Sequence, residues 1–207
     1  IDGNGAITVP YGVSLTVCGG GFVYGSLEVE WGGTLELMNS NFWVFGNVDI
    51  EGDYIRNDWA CLFCDVTDGR MSGNVYGVDK EDLAVYIRVQ DDYHWEENLD
   101  YFCDSDYLFT SLGIQGNVTL PRDVTAGSNS HIAVEGNMGS CLTIPNGVTL
   151  TTGGDLSVYE GQTLINNGSI ILESDFRSVF SIYGTMTNNG TIALNSYDWD
   201  WLEVIGT

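Results

Sequence analysis

The sequence predicts an all-β fold in which the chain winds into a solenoid of short coils. One observation is a phrase that holds all three prolines of the 207 residues. The other is a shorter motif, typical of a turn and a strand: a glycine and a small polar residue, then alternating apolar residues. Such self-similarity indicates a repeat architecture. The motif occurs as GSLEV from Gly25, GTLEL from Gly33, GNVDI from Gly46, GNVTL from Gly116, GSIIL from Gly168, GTMTN from Gly184 and GTIAL from Gly190.

The proline phrase predicts a corner of the solenoid. It reads ITVPYGVS from Ile7, VTLPRDVT from Val118 and LTIPNGVT from Leu142. Proline cannot donate a hydrogen bond to a strand ladder, so it stands where a strand ends. We expect Pro10 at the second position of a β-turn and Gly12 at the fourth. The interval between the second and third phrases, from Val118 to Leu142, predicts the length of one coil.

Four stretches resemble the right-handed parallel β-helix repeats of microbial cell-surface proteins, in the broad pectin-lyase-like group. They are ITVPYGVSLTV, LTIPNGVTLTT, NNGSIIL and NNGTIAL, and the likeness covers residues 1–50 and 114–195. The resemblance implies a parallel β-helix. It does not fix a function, because such solenoids serve as adhesins, stalks, sheath subunits and polysaccharide lyases.

The predicted organisation is one continuous domain in three parts. Residues 1–50 are N-terminal solenoid coils, residues 51–113 are an insertion or elaborated coils, and residues 114–207 are C-terminal solenoid coils. The central part departs from the repeat pattern and holds three of the five cysteines together with acid-rich runs. We therefore expect an irregular, cysteine- and acid-rich central insertion.

The chain is strongly acidic, with 29 Asp and Glu against six Lys and Arg and a formal net charge of −23. Such a surface repels nucleic acid and anionic lipid headgroups, so we expect neither as a partner. No run of 18 apolar residues is present, and we expect no membrane insertion.

We also expect no enzymatic activity. Lyase chemistry on acidic polysaccharides requires a basic residue that abstracts a proton and a cation that neutralises the substrate carboxylate. The single lysine, Lys80, lies in the acidic segment GVDKEDL, where a solvated side chain is expected. Paired carboxylates can hydrolyse glycosidic bonds, but the sequence singles out no pair among its 29 acids.

The five cysteines are candidates for disulfide bonds. Two bridges leave one thiol over, which in a secreted protein indicates a bond between chains. CLFC from Cys61 has the spacing of zinc and redox sites, but neither His94 nor His131 stands in a ligand pattern with another histidine. Disulfides are therefore favoured, with a metal site or free thiols as alternatives. The candidates are Cys18, Cys61, Cys64, Cys103 and Cys141.

An extracellular or cell-surface location is predicted from these cysteines and from three glycosylation sequons. The candidate glycosylation sites are Asn117, Asn167 and Asn189.

Two acidic stretches predict a calcium site, as the alternative to a solvated acidic face. Asp104 and Asp106, and likewise Asp198 and Asp200, would point to one face of an extended backbone. Calcium prefers such oxygen ligands, although neither stretch matches the twelve-residue helix–loop–helix pattern. We expect that no cofactor is required and treat calcium as an optional ligand.

Aromatic residues form two further groups. NFWVF (residues 41–45) predicts side chains that stack in a solenoid core, with a stacking platform for sugars as the alternative. Trp199 and Trp201 flank acids near the C-terminus, and we expect them to contact a ligand or another subunit.

Two functions are compatible with these features. The first is a non-enzymatic, self-associating structural protein, such as a cell-surface, sheath or filament subunit, which forms a homo-oligomer or polymer. The alternative is an adhesin module that binds carbohydrate or another surface, with or without calcium.

Overall fold

The computed structural model describes residues 5–67, 69–92, 94–136, 139–173, 178–195 and 201–206. The fold is an all-β parallel solenoid of about eight turns, which confirms the predicted fold class. The chain divides into two compact units. Residues 1–66, 70–86 and 106–108 form the first unit, and residues 67–69, 87–105 and 109–207 form the second.

The first unit places three strands in a coil. Ile7 pairs with Leu27 and Leu27 with Val48, so each of these residues stands one coil after the previous one. Three parallel ladders run β1-β4-β7-β11, β2-β5-β8 and β3-β6-β9. The strands are β1 (Ile7–Val9), β2 (Ser14–Val17), β3 (Gly21–Val23), β4 (Leu27–Val29), β5 (Thr34–Leu37), β6 (Asn41–Val44), β7 (Val48–Ile50), β8 (Asp53–Arg56), β9 (Cys61–Thr67), β10 (Arg70–Met71), β11 (Val75–Tyr76) and, up to residue 86, β12 (Leu83–Val89), with a 3-10 turn at Lys80–Asp82.

The second unit repeats the three-strand coil. Its parallel ladders run β13-β16-β19-β22-β25, β14-β17-β20-β23 and β15-β18-β21-β24. Val118 and Leu142, the first residues of the second and third proline phrases, are register partners, which confirms the coil length predicted from these phrases. The elements are helix α1 (Trp95–Phe102) and strands β13 (Phe109–Ile114), β14 (Asn117–Thr119), β15 (Val124–Ala126), β16 (Ser130–Val134), β17 (Cys141–Ile144), β18 (Thr149–Thr152), β19 (Asp155–Val158), β20 (Thr163–Asn166), β21 (Ser169–Leu172), β22 (Val179–Ile182), β23 (Thr185–Asn188), β24 (Thr191–Leu194) and β25 (Trp201–Val204).

The core of each unit is a set of apolar columns. Alternate residues of a strand point to the same side, so a period-2 sequence sends every second side chain inward. Leu142 and Leu164 pair in register and are 1 % and 0 % exposed. Leu27 and Leu35 are fully buried in the first unit. Each such leucine stabilises the fold by about 1.5–3 kcal/mol relative to an exposed side chain.

The corners lie where the proline phrases predict them, but the turn positions differ. The Val13 N–H donates to the Pro10 carbonyl at 3.1 Å, so Pro10 is the first residue of the turn and Gly12 the third. Gly12 has a φ of 72°, the left-handed value that the third position of a type II turn requires. Gly147 repeats this geometry with a φ of 83°. The glycine of the phrase is therefore selected by backbone conformation, which explains its place after the proline.

The structure gives no evidence of a central insertion. Within the first unit, β8, β9 and β11 pair in parallel with β5, β6 and β7, in the same order as the coils before them. The segment that looks irregular in sequence therefore contributes ladder strands. The irregular feature is the length of one coil. The chain between the register partners Val48 and Val75 is longer than the chain between the register partners Leu27 and Val48.

Helix α1 is the main departure from strand structure in this segment. Trp95, Asn98, Leu99 and Phe102 are buried at the i, i+3, i+4 and i+7 positions, which form one face of a helix. Its eight residues are far short of a bilayer span, and none of the described helices is long and apolar enough to cross a membrane.

Candidate functional site

Two aromatic rings stand exposed at successive corners of the first unit. Tyr11 is 67 % exposed and Trp31 is 70 % exposed. Their ring centroids are 5.5 Å apart and their planes are inclined by 23°, so the rings stack. We call this pair the aromatic corner. Each ring covers one face of the other, and the high exposure of both places their remaining surface in solvent.

The corner turn positions both rings. Tyr11 precedes Gly12 and Trp31 precedes Gly32, and the Gly12 N–H donates to the Gly32 carbonyl at 2.9 Å. Gly32 has a φ of 74°, and a Cβ atom there would lie 2.6 Å from the Tyr11 ring. The glycine thus allows both the turn and the close approach of the tyrosine ring to the backbone.

Carboxylates lie beside the aromatic corner. Glu30 precedes Trp31, and its Oε2 accepts a hydrogen bond from the Tyr11 N–H at 3.3 Å. Two residues earlier, in strand β4, Glu28 Oε2 accepts from the Thr8 hydroxyl at 3.4 Å. Both acids are exposed. Each carboxylate has further lone pairs for a hydroxyl donor of a ligand.

A second aromatic group stacks on the outer side of β3, β6 and β9. Phe22, Trp43 and Phe63 are register partners, with centroid distances of 6.2 and 4.2 Å. Phe63 is only 5 % exposed, because its neighbours cover it. Tyr24 stacks on Phe45 at 5.0 Å. Trp43 and Phe63 turn most of their surface to neighbouring rings, whereas Phe22 and Tyr24 are each 54 % exposed. The stack therefore joins adjacent coils and leaves part of only these two rings in solvent.

The NFWVF prediction is confirmed for part of the segment. Phe42 and Val44 are core residues, 5 % and 1 % exposed. Trp43 and Phe45 stack too, but on the outer side of the strand, because alternate residues face opposite ways.

All five cysteines are free thiols in the structure, so it contains no disulfide bond among them. CLFC lies within strand β9, where the first and last residues of the motif point to opposite sides. Accordingly Cys61 is half-buried, whereas Cys64 is 3 % exposed in the core. Burial raises the pKa of the Cys64 thiol to about 12, and the Asp65 charge adds to the effect. A bond between chains stays a prediction.

The calcium prediction gains no support from side-chain geometry. Asp104 is half-buried and Asp106 is exposed, while Asp198 and Asp200 lie outside the described residues. Within the ranges that the structure describes, no three His, Cys, Asp or Glu side chains form a group that could hold a metal ion. Calcium binding therefore stays a prediction.

Of the two C-terminal tryptophans, Trp199 lies outside the described residues. Trp201 begins strand β25, which pairs with β22. The predicted contact of these tryptophans with a ligand or subunit stays a prediction.

The three sequons differ in their surroundings. Asn117 is exposed at the start of β14, whereas Asn167 is half-buried. The Asn189 side-chain amide donates to Asn167 Oδ1 at 2.9 Å, so the bond involves the Asn189 nitrogen, to which a glycan would be attached, and the Asn167 oxygen.

A cleft of about 420 Å³ lies beside helix α1 in the second unit. Its acids are engaged by the protein: Glu96 pairs with Arg122 at 2.7 Å, and Glu97 lies 3.6 Å from His94 Nδ1. Asp92 accepts a hydrogen bond from the Thr119 N–H at 2.9 Å. The cleft is therefore a less open site for a ligand than the aromatic corner.

Comparison of the chain with protein-family models, curated proteins and solved structures finds no match. The aromatic corner is thus identified by its geometry alone. Sequence reasoning missed it, although a signal was present: Tyr11 and Trp31 each precede a glycine, in PYG and EWG. The two rings are separated by the same interval as the register partners Ile7 and Leu27, so the winding of one coil brings them together.

Proposed function

We propose that this protein is a non-enzymatic extracellular module that binds a neutral polysaccharide through its aromatic corner. The single observation that carries the proposal is the exposed, stacked pair of Tyr11 and Trp31. A large exposed aromatic surface marks an interaction site in a protein that folds alone. The three sequons support the extracellular location.

The chemistry around the rings favours a sugar. The C–H face of a pyranose ring is apolar and flat, so it packs on an indole or phenol ring, while its hydroxyl groups remain at the rim. Glu28 and Glu30 offer acceptors for such hydroxyls. A polysaccharide rich in uronic acid or sulfate would be repelled by a chain of charge −23.

Binding to a panel of neutral and acidic polysaccharides tests the proposal, by affinity electrophoresis and then by calorimetry on the best binder. We expect Trp31→Ala to raise the dissociation constant about 30-fold, because a central aromatic anchor contributes about 2 kcal/mol or more. Tyr11→Ala should have a smaller effect in the same direction. Trp59→Ala is the matched control, since Trp59 is 81 % exposed but belongs to neither aromatic stack described above.

Three results would contradict carbohydrate binding at this corner: no binding to any neutral polymer, preference for the acidic polymers, or equal losses in Trp31→Ala and Trp59→Ala. Repeating the titration with a calcium chelator tests the optional metal. An unchanged dissociation constant would exclude a calcium-dependent site.

Self-association into an oligomer or polymer is the second candidate function. A specific observation favours it: two strand ladders of the second unit carry no charged residue, although the chain has 29 acids. Two copies of a strongly acidic protein repel each other, so their association needs a surface without charge.

A further inference from the structure

The second unit presents a face built from hydroxyl groups. Strands β14, β17, β20 and β23 pair in register, and their outward side chains form two columns. We call these eight side chains the hydroxyl face. The columns are Asn117, Cys141, Thr163 and Thr185, and Thr119, Thr143, Ile165 and Thr187.

No acid or base stands at any of these eight positions. The next ladder, β15-β18-β21-β24, is also free of charged residues in all four of its strands. In the first unit, by contrast, strands β4, β5, β7 and β8 each contain an acid. The acids of the chain are therefore distributed away from the strands of these two ladders.

Most hydroxyl groups of this face are not used by the protein, the exception being Thr143, whose Oγ1 lies 3.9 Å from Cys141 Sγ within the face. Within the described part of the chain, the side chains of Thr163, Thr185 and Thr187 make no hydrogen bond to another protein group. The threonines of the first unit differ: Thr8 and Thr16 donate to Glu28 and Glu36 at 3.4 and 3.0 Å. Parallel strands are about 4.8 Å apart, so the unused hydroxyls form regular rows.

We infer that the hydroxyl face is the surface on which two copies of this chain associate. The inference rests on the self-association proposed above and names its surface. The charge pattern selects the partner. Acidic side chains are compatible with a neutral sugar, attract a cation and repel a polyanion. A second copy carries the same charge of −23, so it can approach closely only where both surfaces lack charge.

The chemistry of the face is self-complementary. In a two-fold contact the same patch meets itself, so the groups of the patch must suit one another. A threonine hydroxyl is both donor and acceptor, and its methyl group packs on another methyl group. A carboxylate meeting a carboxylate satisfies neither condition. No aromatic ring stands at the eight positions, so the face lacks the stacking platform that a sugar ring uses.

Sedimentation velocity measures the association directly, at protein concentrations from about 1 to 100 μM. We expect the dissociation constant of the wild-type dimer to fall as NaCl is raised from about 0.05 to 0.5 M, because salt screens the repulsion between two acidic molecules. An interface made of salt bridges would show the opposite trend.

Thr163→Glu places a charge at the centre of the face, and we expect it to raise the dissociation constant about tenfold or more, since like charges meet across the two-fold contact. Thr163 is half-buried, so Thr187→Glu, at an exposed position of β23, provides a second variant with less risk to folding. Ser14→Glu is the matched control: it adds the same charge at an exposed strand position of the first unit.

The outcomes separate the two levels of the proposal. A wild-type chain that is monomeric at every salt and protein concentration overturns self-association and with it this inference. A dimer that tolerates Thr163→Glu and Thr187→Glu as well as it tolerates Ser14→Glu leaves self-association standing and overturns the assignment to the hydroxyl face. Loss of the dimer in both face variants, with the control unaffected, supports it.

Discussion

The side-chain amide of Asn166 donates a hydrogen bond to Oδ1 of Asn188, one coil further along the chain, at 2.7 Å. Asn166 is fully buried, and it also donates to the Thr191 carbonyl at 3.0 Å. Its own Oδ1 accepts from the Gly168 N–H at 3.2 Å. A polar residue at an inward position is thus satisfied by the two turns that it joins, as buried amides must be.

Asn166→Ala should lower the free energy of unfolding by about 2–3 kcal/mol, because it removes three hydrogen bonds and leaves partly buried backbone groups without partners. Asn188 is exposed, and Asn188→Ala removes only one of these bonds, so we expect a loss of about 1 kcal/mol or less. Urea unfolding followed by circular dichroism compares the two variants. Equal losses would show that the buried amide has no special part in joining the coils.

Three glycine substitutions should separate backbone strain from steric contact. Gly147 has a φ of 83° and open space around its Cβ direction, so Gly147→Ala should cost about 1–2 kcal/mol through strain alone. A Cβ at Gly190 would meet the Gly168 carbonyl of the preceding coil, and we expect Gly190→Ala to cost about 3 kcal/mol. Gly127 has neither constraint, and Gly127→Ala should fall within about 0.5 kcal/mol of wild type.

The same unfolding assay ranks the three glycine variants. An order other than Gly190, Gly147 and Gly127, from most to least destabilising, would mean that the coils adjust their spacing more easily than their packing indicates.

Thiol reactivity should follow burial and pKa. The thiolate is the reactive form, and the pKa of Cys64 is raised to about 12 by burial, whereas Cys18 is exposed. With iodoacetamide at about pH 8, we expect Cys18 to be modified first and Cys64 to be modified only after unfolding. Mass spectrometry of timed digests reports both sites. Modification of Cys64 at the rate of Cys18 in the native protein would contradict its place in the core.

His131 should make the second unit less stable in acid. Burial lowers the pKa of His131, and the charges of Asp155 and Glu135 oppose that shift only in part. The folded state therefore favours the neutral ring. This contribution is fully present above the unfolded pKa of about 6.5 and is lost as the pH falls through the lower folded value.

Between about pH 7 and pH 5, the free energy of unfolding of His131→Gln should thus fall less than that of wild type. The variant lacks a side chain whose protonation the folded state disfavours. Urea unfolding at several pH values measures the difference. Parallel pH profiles for the two proteins would show that His131 does not contribute, since the carboxylates titrate in both.

The solenoid itself is predictable because its signals are local. Proline marks the end of a strand, glycine marks a positive φ, and alternation marks which side chains face inward. Each of these depends on a few adjacent residues. The predicted position of Pro10 within the turn was wrong. Proline is allowed at more than one turn position, whereas the positive φ of Gly12 is compatible with only one, the third.

The aromatic corner could not be predicted from one stretch of sequence, because its two rings come from successive coils. Tyr11 and Trp31 form a pair only because the coil between them has the length that also brings Ile7 to Leu27. Coil length varies along this chain, since the coil from Val48 to Val75 is longer, so the one spacing visible in the prolines could not place the other neighbours. The central segment looked like an insertion for the same reason.

Cys141, Thr163 and Thr185 repeat at a constant interval, and each faces its successor in register. A gene that lost or duplicated residues 163–184 would therefore encode a shorter or longer molecule with the same strand alignment and the same buried columns. Length becomes a quantity that recombination between repeats can adjust in whole steps, without the compensating substitutions that a closed globular core demands.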